Sequence, residues 1–223
     1  MIWQPAAAKK ISTLLAGMLA IDEIKLGGSL KTPAELDKYS DVDIEIFLPG
    51  DKPVCIKTVL AAVAEEFSPV FGYEIIAHAR KDVIRLCLED GKRFDLLFRY
   101  PVDKQPQPEA NETDMMVNQF WFMAAMVLAK LGRRDNLIAA HLALEICQII
   151  IVMQMLQRDR QKGTNIHRFG DDEAVPVLDI PPLVGDNRER ILAIVFSAAA
   201  CMDAAAVELG YGQKSEILRG MLI

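Results

Sequence analysis

An excess of positive charge is the first thing this chain lacks. Its 223 residues carry 25 Lys and Arg against 31 Asp and Glu, a formal net charge of −6. Broad, sequence-independent binding to nucleic acid needs a field of Lys and Arg that displaces counterions, so this balance argues against it. Cysteine is scarce too. Cys55, Cys87, Cys147 and Cys201 are far apart and form no CxxC. That spacing removes thiolate zinc sites and thioredoxin-like pairs and leaves reduced, mostly buried thiols as the expectation. Long apolar runs are also missing. The longest, Ile146 to Leu156, is broken by Gln148 and Gln154 and is well short of the ~20 residues that span a bilayer. A buried helix and no membrane partner are expected from it. The opening Met1-Ile2-Trp3-Gln4-Pro5 lacks the basic-then-apolar order of a secretory leader, and the expected location is the cytoplasm. There is no internal repeat and no low-complexity tract.

What is present is apolar mass, 52% of the residues, enough for a sizeable core. Ile11, Leu14, Leu15, Met18 and Leu19 recur at helical spacing within 6–19, and Ile21 to Leu26 reads as a short strand running into Gly27-Gly28. Pro33 can open a short helical turn in the polar stretch that follows. From Asp41 to Leu48 the chain alternates, with Asp41, Asp43 and Glu45 on one face and Val42, Ile44 and Ile46 on the other. That period of two predicts a strand with one buried face, closed by the turn Pro49-Gly50-Asp51. Residues 55–67 read as a helix and 72–79, 82–88 and 93–100 as strands, with Glu89-Asp90-Gly91-Lys92 as a hairpin turn.

Between Tyr100 and Thr113 the composition changes. Pro101, Pro106 and Pro108 stand among polar residues, which makes a poor element and a good linker. A domain over residues 1–105 and a second over 112–223 are therefore expected. The second half reads as helices over 114–131, 134–158 and 186–209, with a long Pro-containing loop over 163–185. Ala198-Ala199-Ala200 and Ala204-Ala205-Ala206 suggest close helix packing.

Chemistry concentrates near the front. A Gly27-Gly28-Ser29 turn after a strand lets backbone N–H groups approach an anion without a Cβ in the way, and Ser29 adds a hydroxyl. The same tripeptide also serves as a plain turn. Asp41 and Asp43, two apart on a strand, point the same way about 7 Å apart. The pair suits a divalent cation and equally suits a solvated strand face. Asp95, between Phe94 and Leu96, tips this balance. Three acids converging on one place repel unless a cation neutralises them.

Gly28-Ser29, then Ser40-Asp41-Val42-Asp43, then Asp95 on a later strand resembles the signature of the DNA polymerase β-like nucleotidyltransferase superfamily. A short catalytic part followed by a helical half is most similar to the antibiotic nucleotidyltransferases, of the aminoglycoside and lincosamide type. The resemblance covers roughly the first hundred residues; the helical half agrees only in general character, from Asn118-Gln119-Phe120-Trp121-Phe122 onward. It implies an α+β fold, with a small mixed β-sheet flanked by helices and then a C-terminal α-helical bundle. It implies transfer of a nucleoside monophosphate, AMP from ATP, to an acceptor hydroxyl with release of pyrophosphate. Asp41, Asp43 and Asp95 would be the metal ligands, for two Mg²⁺ ions. Gly28, Ser29, Lys31 and Ser40 would hold the nucleoside triphosphate, although Leu30, directly after Gly-Ser, departs from the basic or small residue common there. Asp95 would complete the metal site or take the acceptor's proton.

The helical half offers further candidates. His141 and Glu145 share a helix face at i and i+4, which makes them either an acceptor contact, with Glu145 first, or a partnered or solvated structural pair. His167-Arg168 could reach phosphate or be a solvated pair. Trp121 and Phe122 could stack on a base but suit a helix core better. The acidic balance suits a cationic small-molecule acceptor. A protein or RNA acceptor, or a binding module without catalysis, are the alternatives, and the apolar helices could also support a homodimer.

Overall fold

The computed structural model describes residues 2–32, 34, 36–106, 111–163 and 188–222. It is a mixed α+β protein whose C-terminal part is helical, the class expected from the sequence. The first helix, α1 (Gln4–Met18), is followed by strand β1 (Glu23–Leu26), a single 3-10 turn (Gly28–Lys31) and strand β2 (Val42–Phe47). Helix α2 (Ile56–Glu66) leads to β3 (Val70–His78), β4 (Lys81–Leu88) and β5 (Arg93–Arg99). Helices α3 (Glu112–Gly132), α4 (Asn136–Lys162), α5 (Arg188–Glu208) and α6 (Ser215–Gly220) complete the described residues.

The five strands form one sheet in the order β1-β2-β5-β4-β3, with β2 and β5 parallel and the other neighbours antiparallel. Alternation along the strands decides the faces. Val42, Ile44 and Ile46 of β2 and Phe94, Leu96 and Phe98 of β5 are all within 1% of complete burial. They share one core with Ile11 and Leu15 of α1 and Val59 and Val63 of α2. Each such side chain gains about 1.5–3 kcal/mol by leaving water, so this face sets the register of the strands. Asp82, fully buried at the start of β4, accepts from Tyr100 Oη at 2.8 Å and pairs with Lys104. Tyr100 Oη in turn accepts from the Val54 N–H at 3.1 Å, fastening the end of β5.

Two compact units are present, Met1–Phe122 and Met123–Ile223, and the division falls inside α3 rather than in the proline-rich stretch before it. Gly72 explains why the first half of α3 goes with the sheet. A Cβ there would lie 2.3 Å from the Phe122 backbone N and 2.7 Å from the Asn118 carbonyl O. The helix backbone thus rests directly on β3. Trp121 and Phe122 are core residues, 0% and 2% exposed, with Trp121 edge-on to Phe71 at 5.4 Å.

In the second unit α4 packs against α5. Ala198, Ala199 and Ala206 of α5 are fully buried, as the alanine runs suggest. α4 is much longer than its apolar stretch, at 27 residues. By length and composition α3, α4 and α5 are each apolar enough to cross a membrane, which corrects the expectation drawn from Ile146 to Leu156 alone. The most apolar window of α3 is nevertheless 67% buried within the protein. The cysteines are free. Cys87 and Cys147 are buried, but Cys55 is exposed, against the expectation of mostly buried thiols. The loop read over 163–185 lies almost wholly outside the described residues, and His167 and Arg168 with it.

Candidate functional site

On the sheet face opposite the shared core, four strands place one charged residue each in a single lateral row. Asp43 of β2 stands opposite Asp95 of β5, Asp95 opposite Arg85 of β4, and Arg85 opposite Glu74 of β3. Strand pairing alone brings Asp43 and Asp95 together, although they are fifty-two positions apart (95 − 43) in the chain. Arg85 Nε donates to Asp95 Oδ2 at 3.1 Å, and its Nη1 donates to Glu74 Oε2 at 3.3 Å. Gln119 of α3 donates to Glu74 Oε1 at 3.1 Å, and the Phe122 ring lies 5.2 Å from the guanidinium carbon.

The Gly-Gly-Ser turn closes on the same strand. The Gly27 N–H donates to the Asp43 carbonyl O at 2.8 Å. Gly28 has φ +48°, and a Cβ on it would fall 1.8 Å from Asp43 Oδ2. Glycine is therefore required twice, for the left-handed backbone and for the space taken by the carboxylate. Ser29 Oγ is shielded from solvent and has no hydrogen-bond partner. A buried hydroxyl left unpaired costs about 1–3 kcal/mol; among the described residues Gln4 Oε1, Arg93 Nε and Trp121 Nε1 are left in the same state. Lys31 ends the turn with its side chain exposed.

The acids interact strongly. Burial, then Asp41, then Asp95 raise the Asp43 pKa from the ordinary 3.8 to about 6, with Arg85 opposing. Burial also pushes Asp95 up, and the Arg85 guanidinium holds it back. Glu45, on the same face as Asp41 and Asp43, is taken up by Arg99. Ser40 is buried, and its hydroxyl donates to Asp37 Oδ1 at 3.1 Å. Gln4 donates to the Ser40 carbonyl at 2.9 Å, so the hydroxyl and carbonyl of Ser40 both shape the approach to Asp41. Arg93 donates to the Tyr39 carbonyl from the start of β5 and fastens the same approach.

Asp41, Asp43, Asp95, Gly28 and Ser29 thus meet around one end of β2, with Lys31 at the end of the same short turn. Glu145 lies in the second unit, on α4, where it pairs with His141 at 3.6 Å; both side chains are exposed. Among the described residues no three His, Cys, Asp or Glu side chains are grouped to share one cation as they stand. Asp95 is bonded instead to Arg85. The donor chemistry nonetheless fits a hard dication. Asp41 and Asp43 offer oxygen only, Ser29 Oγ is orphaned, and the missing side chain of Gly28 makes room for the Asp43 carboxylate.

Arg85 and Glu74 are site residues that the motif did not reveal. The turn read from the sequence, 89–92, would set Leu88 against Arg93 and hence Arg85 against Leu96; the observed hairpin is one residue tighter. The Leu88 N–H donates to the Lys92 carbonyl across the hairpin turn. Counting back from that pair, residue by residue, places Arg85 opposite Asp95.

No family model matches this chain, and no curated protein matches it. Among solved structures, an aminoglycoside 6-adenyltransferase from Bacillus subtilis aligns at 15% identity and a TM-score of 0.38, covering 96% of this chain and 97% of that one. A STING-associated CdnE c-di-GMP synthase from Capnocytophaga granulosa aligns at 14% identity and 0.30, covering 98% and 77%. CdnC with ATP, from E. coli MS115-1, aligns at 13% and 0.27, covering 97% and 87%. Likeness at that level carries no functional argument, and the reading below stands on the residues.

Proposed function

We propose that the protein transfers a nucleoside monophosphate, AMP from ATP, to a hydroxyl of a small-molecule acceptor in an Mg²⁺-dependent reaction that releases pyrophosphate. The observation that carries this reading is the seating of Gly28 against Asp43 Oδ2 with Ser29 Oγ buried and unpaired. A donor for an anion and a carboxylate for a cation are thereby joined in one place.

Asp41 and Asp43 would hold Mg²⁺, with Asp95 as the third carboxylate. Mg²⁺ held there would neutralise triphosphate charge and lower the pKa of a bound hydroxyl. Ser29 Oγ and the Gly28 backbone donate to the β- and γ-phosphate oxygens. Lys31 brings its ammonium to the same end, and Ser40 holds the Asp41 approach in shape. Asp95 would complete the metal site or, with its proton affinity raised by burial, take the acceptor's proton. Glu145 is the first candidate for an acceptor contact. Little covalent chemistry falls to the protein; it positions groups and stabilises charge.

A cationic antibiotic of the aminoglycoside type suits the acidic balance as acceptor, and a lincosamide is the neighbouring choice. The free cysteines are compatible with a reducing, cytoplasmic site of action. A homodimer through the apolar helices is compatible with this reading.

The test offers the protein, Mg²⁺ and each of the four triphosphates to panels of aminoglycosides, lincosamides, RNA ends and proteins. Acceptor-dependent pyrophosphate release is expected, and Asp43→Asn should abolish it while the protein stays folded. Undiminished release by that variant would remove Asp43 from the metal site.

A further inference from the structure

Arg85 occupies a position that the proposed reaction does not use, and its two bonds leave from different atoms. Nε serves Asp95 and Nη1 serves Glu74. Its far end is fixed independently of Asp95, because Glu74 is itself held by Gln119 and the guanidinium lies over the Phe122 ring. If Asp95 turned away, Arg85 would keep one carboxylate and one aromatic face. An arginine stapled to a single acid would be left as an unpaired, half-buried charge, which is costly.

Building on the proposed metal-dependent transfer, we propose that Arg85 is a positioning residue that stands in for the divalent cation at Asp95, and that Glu74 receives the guanidinium when the cation arrives. The row Asp43–Asp95–Arg85–Glu74 then works as a relay of one charge. Without a dication, Arg85 neutralises Asp95 and keeps it aligned. A dication at Asp41 and Asp43 attracts Asp95 and repels Arg85. The guanidinium need only lose its Nε bond, since Nη1 already reaches Glu74. The arrangement explains how three acids persist side by side and why Asp95 is not yet grouped with the other two.

The two ends of the relay make opposite predictions. Arg85→Gln removes a competing positive charge and should tighten Mn²⁺ binding by about fivefold to tenfold. Glu74→Gln leaves Arg85 with Asp95 as its only acid partner and should weaken Mn²⁺ binding by a similar factor. Arg85→Lys, which keeps the charge but loses the two-atom reach to Glu74, should weaken Mn²⁺ binding as Glu74→Gln does. Free Mn²⁺ is measured by electron paramagnetic resonance on the full chain, with melting curves showing that each variant is folded. Mn²⁺ binding by the parent, with both Gln variants matching it or shifting in the same direction, would overturn the relay and leave the transfer reading standing. Failure of the parent and of Arg85→Gln to bind Mn²⁺ would overturn both.

Discussion

The two faces of the one sheet obey different rules. On the shared core face, Ile46 and Leu96 are interchangeable in kind with other apolar residues of similar volume, and energy comes from area removed from water. On the opposite face, Asp43, Asp95, Arg85 and Glu74 are specified one by one, each by the charge of its lateral neighbour. Isolated, each of these groups would be a liability; as a row, the one arginine is shared by Asp95 and Glu74, and net negative charge remains, most of it at Asp41 and Asp43. The lesson is that strand register, set by the apolar face, delivers the charged face its geometry. Damage on the first face should appear in stability, and damage on the second in chemistry.

Substitutions can break that division, and the largest expected effect is at Gly28. Gly28→Ala forces a Cβ onto Asp43 Oδ2 and should cut nucleotide transfer on the order of 100-fold or more, with a modest fall in melting temperature from the left-handed backbone. A collapse in stability with the rate per folded molecule unchanged would place Gly28 on the structural side. Next comes the apolar face. Ile46→Ala, at a fully buried position, should cost about 2–5 kcal/mol of stability in denaturant titration and leave the rate per folded molecule within a few-fold.

A smaller effect follows from the pKa of Asp43. A carboxyl whose pKa rises on folding, here from 3.8 to about 6, contributes stability below its unfolded value and loses that contribution as pH rises to the folded one. Without metal, Asp43→Asn should therefore melt higher than the parent above pH 6, and the gap should close as pH falls toward 3.8. Mg²⁺ should stabilise the parent above pH 6 and not the variant, because a ligand of the native state raises its melting temperature. A gap that does not change with pH would mean that folding leaves the Asp43 pKa at its unfolded value. The smallest effect is expected at Glu145→Gln. Its exposed pair with His141 has little stability to lose. A lost hydrogen bond to a charged acceptor should raise the acceptor KM about tenfold, leaving the KM for the triphosphate unchanged.

Much of the fold was legible because alternation is a local property. The Asp41 to Leu48 pattern places Val42, Ile44 and Ile46 inward without knowledge of any other segment. The helix over Ile56–Glu66 is likewise written in Val59, Leu60 and Val63. The place where the units divide was not legible. Prolines between Tyr100 and Thr113 look like a boundary, but the absence of a side chain at Gly72 lets the first half of α3 lie against β3. That is a contact between segments some fifty residues apart, and no local pattern reports it. The site divides in the same way. Gly28, Ser29, Asp41 and Asp43 stand close in sequence and carry a pattern, whereas Arg85 reads as an ordinary strand residue until its partner is known.

By itself the sequence determined which side chains face inward and where acids and glycines stand along the chain. These follow from backbone periodicity and from the chemistry of single residues. Only the tertiary structure decided that Asp95 meets Asp43 across a parallel pair, that Arg85 bridges Asp95 and Glu74, and that Gly28 is filled by a carboxylate. The reason is physical. Charge interactions depend on distances of a few ångströms between residues remote in the chain, and those distances exist only once the core face has chosen its register.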